Sequence, residues 1–274
     1  MVVQWRVIRD KAYPAPMGLA LDEALLKSVE ARESENVLRL YFFSPPSVII
    51  GHSQHVNSVD LDFIKRNNMG FTRRMTGGGA IIMGCPEWHS QIGITLIVYD
   101  DGRYPPKLSK KFELFNRGVL LGLRYLNLDA EYCFDTTDIM VNGKKIAGSG
   151  IYSTSSAMLF HSTILIDYDL LTMLKAIKFP EEKINATLLS KMENGYTTLM
   201  KELNLNQADP TYIENDVENN IIKGYTETLN IKFTESSYTE KEILLSKKLE
   251  TEKYRCDGWI YTDGAREMGA CFLK

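Results

Sequence analysis

Arg73-Arg74-Met75-Thr76-Gly77-Gly78-Gly79-Ala80-Ile81-Ile82 sets three consecutive glycines between a pair of arginines and an apolar run. Without a Cβ, each glycine lets the main chain take positive φ and lets another group approach the backbone closely. One reading is an anion-binding concavity of exposed N–H groups, with the arginines supplying charge beside it. The other is a flexible hairpin carrying two solvated arginines. The neighbouring residues decide between them.

Residues 70–73 read as a strand entering the glycines, and residues 80–83 continue it in extended form. A loop over 84–90 separates them from the Val/Ile/Thr-rich run 92–99, so the two apolar runs predict a hairpin. Upstream, a strand over 37–43 stops at Ser44-Pro45-Pro46, and a second strand over 47–50 ends at Gly51. Gly51-His52-Ser53-Gln54 therefore leaves a rigid strand as a polar loop, the usual setting of a site edge. Residues 2–7 predict a further strand, 18–31 an amphipathic helix and 60–67 a short one.

Downstream, apolar positions 112, 114, 115, 119, 120, 123 and 126 predict a long helix over 108–126, packed on the sheet. Asn142-Gly143 between apolar residues is a two-residue hairpin signal. It puts Asp138 just before one strand and Lys145 early in the next, where both can face one pocket. A strand over 158–167 contains His161. Helices follow over 170–176, 181–193, 199–203, 210–229 and 240–249, with a strand over 230–233, and residues 254–274 show no clear period.

The chain has 274 residues, 44% hydrophobic and 24% charged, with a net charge of -3. That is enough to bury a substantial core, and it offers no general attraction to nucleic acid. No apolar run reaches the roughly 18 residues that span a bilayer, and no signal-peptide core opens the chain, so a cytoplasmic location is expected. Cys85, Cys133, Cys256 and Cys271 show no C-x-x-C spacing, which argues against a zinc site or a disulfide framework.

Each candidate residue has a plain reading beside a chemical one. Of Lys144 and Lys145, adjacent on a strand, one points to each face. A strand lysine is either a solvated edge residue or, turned inward, a cation that polarises an acyl carbonyl. Asp138 is either a turn residue or a ligand for magnesium or an amine. His161 is either a satisfied core histidine or a neutral hydrogen-bonding group lining a ligand tunnel. Cys133 is either an inert strand-end cysteine or a thiolate able to take an acyl group.

Three motifs occur in order: Arg-Arg-x-Thr-Gly-Gly-Gly-Ala from Arg73, Thr-Asp-Ile-x(5)-Lys-Ile-x-Gly-Ser from Thr137, and Phe-His-Ser-Thr-Ile-Leu from Phe160. Together they resemble the lipoate-protein ligase family, whose relatives include octanoyltransferases and biotin protein ligases. The resemblance runs from about residue 19 to 233, and the ordered set is far more specific than any one motif. It implies an α/β (α+β) fold, a mixed β-sheet with flanking helices, in which an acyl chain lies in a tunnel beside the glycine loop. It implies ATP and magnesium as cofactors, activation of lipoate to lipoyl-adenylate, and transfer to a lysine of a lipoyl carrier domain, either glycine cleavage H protein or a 2-oxoacid dehydrogenase E2.

By the same resemblance Lys145 is the catalytic lysine, and Arg74, Thr76, Gly77, Gly78, Gly79, Asp138, Gly148 and His161 bind lipoate and adenylate, with Asp138 also a magnesium ligand. Residues 1–253 correspond to the catalytic domain. Residues 254–274 stand where a small accessory domain begins, a domain that some bipartite ligases supply as a separate subunit. Three departures stand out. Met83-Gly84 replaces the usual His-Asp, with His89 as a substitute further along; residues 151–159 lack a basic residue; and Thr137 replaces Asn before Asp138. Two further readings stay open: an octanoyl or lipoyl transferase using Cys133 as thioester nucleophile, and an acyl-binding homologue without activity.

Overall fold

The computed structural model describes residues 3–84, 91–167, 169–178, 186–205 and 210–262. Its elements are β1 (Val3–Arg9), α1 (Ala15–Glu30), β2 (Val37–Tyr41), β3 (Ser47–Ile50), α2 (Leu61–Arg66), β4 (Gly70–Arg73), β5 (Ile81–Met83), β6 (Gln91–Tyr99), α3 (Leu108–Tyr125), β7 (Ala130–Tyr132), β8 (Ile139–Val141), β9 (Lys144–Ser153) and β10 (Ala157–Leu165). Then come α4 (Leu170–Ala176), α5 (Ala186–Gly195), α6 (Leu199–Glu202), α7 (Pro210–Leu229), β11 (Ile231–Glu235), α8 (Glu240–Leu249) and α9 (Asp257–Ile260). Helix α1 begins three residues before its periodicity suggests, because Pro16 occupies the first turn, where its missing N–H costs nothing. Helix α8 starts on a capping box, Thr239 with Glu242.

Eight strands form one sheet in the order β11-β1-β2-β6-β10-β9-β8-β7, and β4-β3-β5 form a second. Strands β11, β1 and β2 run parallel while β2, β6, β10, β9, β8 and β7 alternate, so the sheet is mixed as expected. Side chains alternate across it. Leu38, Leu40, Met158, Phe160 and Ile164 join Phe115, Val119, Val217 and Tyr225 of α3 and α7 in one core. Val37, Tyr41, Ile97 and Leu159 join Leu19, Leu25 and Leu26 of α1 in another. By that alternation His161 and Thr163 fall on the face away from α3, toward the small sheet.

The expected hairpin between residues 80–83 and 92–99 is not formed. Strand β5 pairs antiparallel with β3 in the small sheet, whereas β6 lies between β2 and β10 in the large one. Eight of the nine residues of β6 are buried. A strand apolar on both faces takes a central position with partners on each side, and a three-residue neighbour in sequence cannot supply one. The 142–143 turn does form: Asn142 and Gly143 have φ of 51° and 71°, and β8 pairs antiparallel with β9.

Residues 254–262 pack against the body of the fold, with Tyr254, Trp259 and Ile260 buried beside α1. Among the described residues no helix is long and apolar enough to cross a membrane.

Candidate functional site

Between the two sheets lies a cavity of about 500 Å³. The glycine loop, with Arg74, Gly77, Gly78 and Gly79, lines one side; Asp138, Lys145, Gly148 and His161 line another; Leu165, Met173 and Ile177 close an apolar end. Of the residues singled out from sequence, Thr76 touches the cavity only through His161.

The two arginines have scaffolding duties. Arg74 is 6% exposed, and its guanidinium donates to the carbonyls of Ile49, Gly77 and Gly79 at 3.1, 2.8 and 2.8 Å. Burial lowers its pKa to about 10, which still leaves it charged near neutrality. In planar trans peptides the next N–H is antiparallel to each carbonyl, so those of Gly78 and Ala80 are directed away from the guanidinium. The loop is thus held by a cation that takes its oxygens. Gly51 allows this packing: a Cβ there would stand 2.0 Å from the Gly78 carbonyl oxygen.

Lys145 extends its ammonium across β9 to Asp138, Nζ to Oδ1 at 2.8 Å. A Cβ on Gly148 would come within 3.0 Å of that Nζ, so glycine leaves the lysine its path. The Lys145 main chain is fixed by the Thr197 N–H, which donates to its carbonyl at 2.9 Å. Asp138 is fixed through its predecessor. Thr137 takes φ of 61°, and its carbonyl accepts from Ser149 Oγ at 3.0 Å, which in turn accepts from Asn116 Nδ2 at 3.0 Å. Asn116 had a signal in the sequence, since it interrupts the apolar stripe of α3 and is 1% exposed.

His161 meets Thr76, Nε2 to Oγ1 at 2.7 Å. It is partly accessible from the cavity and otherwise enclosed. Burial, then the Arg74 charge, push its pKa down to about 3, so it is neutral near pH 7. Gly150 provides its space, because a Cβ there would stand 2.8 Å from Nε2.

Cys133 does not line the cavity. Its N–H donates to the Asp138 carbonyl and its carbonyl accepts from Thr137, each at 2.9 Å, which closes the 133–138 loop on itself. The Thr136 hydroxyl, followed by N–H groups of the same loop, holds the thiol pKa below the ordinary value. Sequence reading missed Gln91, at the start of β6, which lines the cavity and whose buried Oε1 has no hydrogen-bond partner among the described residues. His89, Cys85 and Cys271 lie outside the described residues. Asp138 is the one carboxylate among the described lining residues, and no group of three or more His, Cys, Asp or Glu able to hold a metal occurs among the described residues.

The side chains of Leu165, Met173 and Ile177 and the Lys145–Asp138 pair line the same cavity. An octanoyltransferase LipM of Brevibacillus brevis is 26% identical over 281 residues, covering 93% of this chain and 98% of its own. Lipoate-protein ligase A subunit 1 of Thermoplasma acidophilum is 31% identical over 253 residues, covering 89% of this chain and 90% of its own. Among solved structures, a bi-partite lipoate protein ligase from Thermoplasma acidophilum, studied with its E2 lipoyl domain, superposes with a TM-score of 0.83 at 28% identity, over 97% of this chain and 99% of its own. A lipoate-protein ligase A bound with ATP gives 0.79 at 28% identity, over 94% and 98%. Residues 14–222 match the lipoyl protein ligase A/B catalytic domain, and the chain belongs to that family.

Proposed function

We propose that the protein is a lipoate-protein ligase that uses ATP to activate lipoate and passes the lipoyl group to a lysine of a lipoyl carrier domain. The observation that carries this reading is the Lys145–Asp138 pair, which opens on the cavity, while Cys133 lies outside its lining. In the first step a lipoate carboxylate oxygen attacks the α-phosphorus of ATP, and the bond to pyrophosphate breaks. In the second the neutral amine of the carrier lysine attacks the acyl carbonyl, AMP leaves with the electron pair of the C–O bond, and the nitrogen loses a proton to give the amide. No protein nucleophile is required.

The chain's own groups divide the work. The Lys145 ammonium faces charge developing on the carbonyl and phosphate oxygens, the type of preorganised contact that contributes most to such steps. Gly77, Gly78, Gly79 and His161 bound the acyl chain, Thr76 holds the histidine ring, Arg74 holds the glycine loop, and Gly148 keeps the lysine's path clear. Asp138, the one carboxylate among the described lining residues, would supply an oxygen to magnesium carried in largely by the phosphates, and the ion would offset their charge. A bi-partite relative studied with its E2 lipoyl domain supports a lipoyl carrier domain as partner and a separate accessory subunit.

Full-length similarity to octanoyltransferases and the lowered Cys133 thiol pKa favour a second reading, transfer of octanoyl through a Cys133 thioester. Purified protein incubated with lipoate, ATP, magnesium and an apo carrier domain, then analysed by mass spectrometry, tests both. The ligase reading expects an ATP-dependent mass increase on the carrier, undiminished in Cys133→Ser. A folded serine variant without activity, together with an octanoyl adduct on Cys133 from octanoyl-carrier, establishes the transferase instead.

A further inference from the structure

Residues 254–262 pack behind the glycine loop, and one buried side chain joins them to it. Arg73, the last residue of β4, is 1% exposed, and its guanidinium meets different carbonyls from that of Arg74. Its Nη1 donates to the carbonyls of Gly51, His52 and Gln54 at 3.0, 2.8 and 2.7 Å. Its Nε donates to the carbonyls of Trp259 and Ile260 at 3.0 and 3.1 Å, and its Nη2 to those of Ile260 and Thr262 at 2.8 and 2.9 Å. One guanidinium thus gathers six main-chain oxygens from two segments about 200 residues apart in sequence, a task for its planar fork of five N–H donors.

The strand beneath is bonded to the same segment. Trp259 Nε1 donates to the Arg73 carbonyl at 2.8 Å, and Thr72 Oγ1 donates to the Tyr254 carbonyl at 2.8 Å. The segment is anchored in turn on α1, where Lys253 Nζ and the Tyr254 hydroxyl each lie 2.7 Å from Glu23 Oε2. On its other side, the 51–54 loop supports the glycines. The His52 N–H donates to the Thr76 carbonyl at 2.8 Å, Gly51 lies directly under Gly78, and Gln54 lines the cavity.

We propose that Arg73 is a positioning residue, and that with Trp259 it makes the 254–262 segment a buttress that holds the glycine loop in its substrate-binding position. The proposal rests on reading the cavity as the acyl site. A loop released from the buttress occupies its binding position only part of the time, so KM for the acyl substrate rises by the inverse of that fraction and kcat at saturation is unchanged. A variant that merely loses folded protein does the reverse: kcat per total protein falls at constant KM.

Two variants and two readouts test it. Trp259→Phe keeps the ring and removes one donor, which predicts a KM increase of roughly three- to tenfold. Arg73→Lys, with three donors unable to span both segments, predicts roughly tenfold or more. Hydrogen exchange gives the second readout: amides over 51–54 and 74–79 should exchange faster in Trp259→Phe than in wild type, with β6 and β10 unchanged. A kcat loss at constant KM, or unchanged exchange over 51–54 and 74–79, overturns the proposal. If wild type turns over neither lipoate with ATP nor octanoyl-carrier, the catalytic reading fails, and exchange alone decides the buttress.

Discussion

The neutral His161 makes the stability of this protein depend on pH in a way that one substitution isolates. An unfolded histidine titrates near 6.5, whereas burial and Arg74 push His161 down to about 3. Between those values the unfolded chain binds a proton that the folded chain refuses. The group's contribution is therefore fully favourable above about pH 6.5 and declines as pH falls toward 3, where it levels off. Each unit below 6.5 costs about 1.4 kcal/mol, so the penalty at about pH 5 is about 2 kcal/mol, an upper value because the ring has some access from the cavity. Other carboxylates and histidines also titrate in this range, so the wild-type curve alone is uninformative. In His161→Gln the amide reaches Thr76 in place of Nε2 and does not titrate. Urea unfolding of both proteins at about pH 8 and pH 5 gives the double difference. The expectation is that wild type loses about 2 kcal/mol more than His161→Gln over that interval. Parallel pH dependences would falsify the placement of a buried, neutral imidazole.

Lys145→Ala should reduce carrier acylation by about 10²-fold or more while shifting stability by no more than about 1 kcal/mol, since the ion pair is partly solvated; activity and thermal melts on one preparation check both halves. Gly51→Ala places a Cβ 2.0 Å from the Gly78 carbonyl, main chain against main chain. It should destabilise by about 1–3 kcal/mol and weaken acyl-acid binding, readable by calorimetric titration; unaltered binding would show that the two loops move independently. Arg39 is fully buried between Asp10 and Asp22, at 2.9 and 2.7 Å. Arg39→Met leaves both carboxylates buried without their partner and should cost about 3–5 kcal/mol in denaturant unfolding.

What the sequence revealed and what it concealed follow from the range of the interactions. The Asn142-Gly143 turn is local, and its short span was enough to bring Asp138 and Lys145 together. Arg73 and Arg74 are adjacent in sequence, but which arginine meets the cavity depends on how the small sheet lies against the large one. The partners of β5 and β6 were hidden for the same reason. Both are apolar runs, and only the burial of β6 on two faces assigns it to the centre. Tyr254 and Trp259 anchor a segment with no period, because two isolated side chains hold it to α1 and β4 where a continuous face would leave a repeat. Asn116 was readable as a polar break in an apolar stripe; its link through Ser149 to Thr137 was not, since those residues meet only across the sheet.

The division of labour among the cations fixes the walls of the cavity. Arg39 is committed to two carboxylates, Arg73 to main-chain carbonyls of the 51–54 and 259–262 segments, and Arg74 to the oxygens of the glycine loop. All three are buried, so moving any of them would expose unpaired charge or unmet carbonyls inside the protein, at a cost of several kcal/mol. Lys145 is different. Its side chain is 31% exposed, and its partner Asp138 is reached along a flexible four-carbon stem. An incoming anion can draw the ammonium toward itself without breaking the scaffold, because the fixed guanidinium groups have already set the walls. The arginines of the glycine motif are in this sense the frame of the site, and on the proposed reading Lys145 is a cation able to follow the substrate through a change in charge.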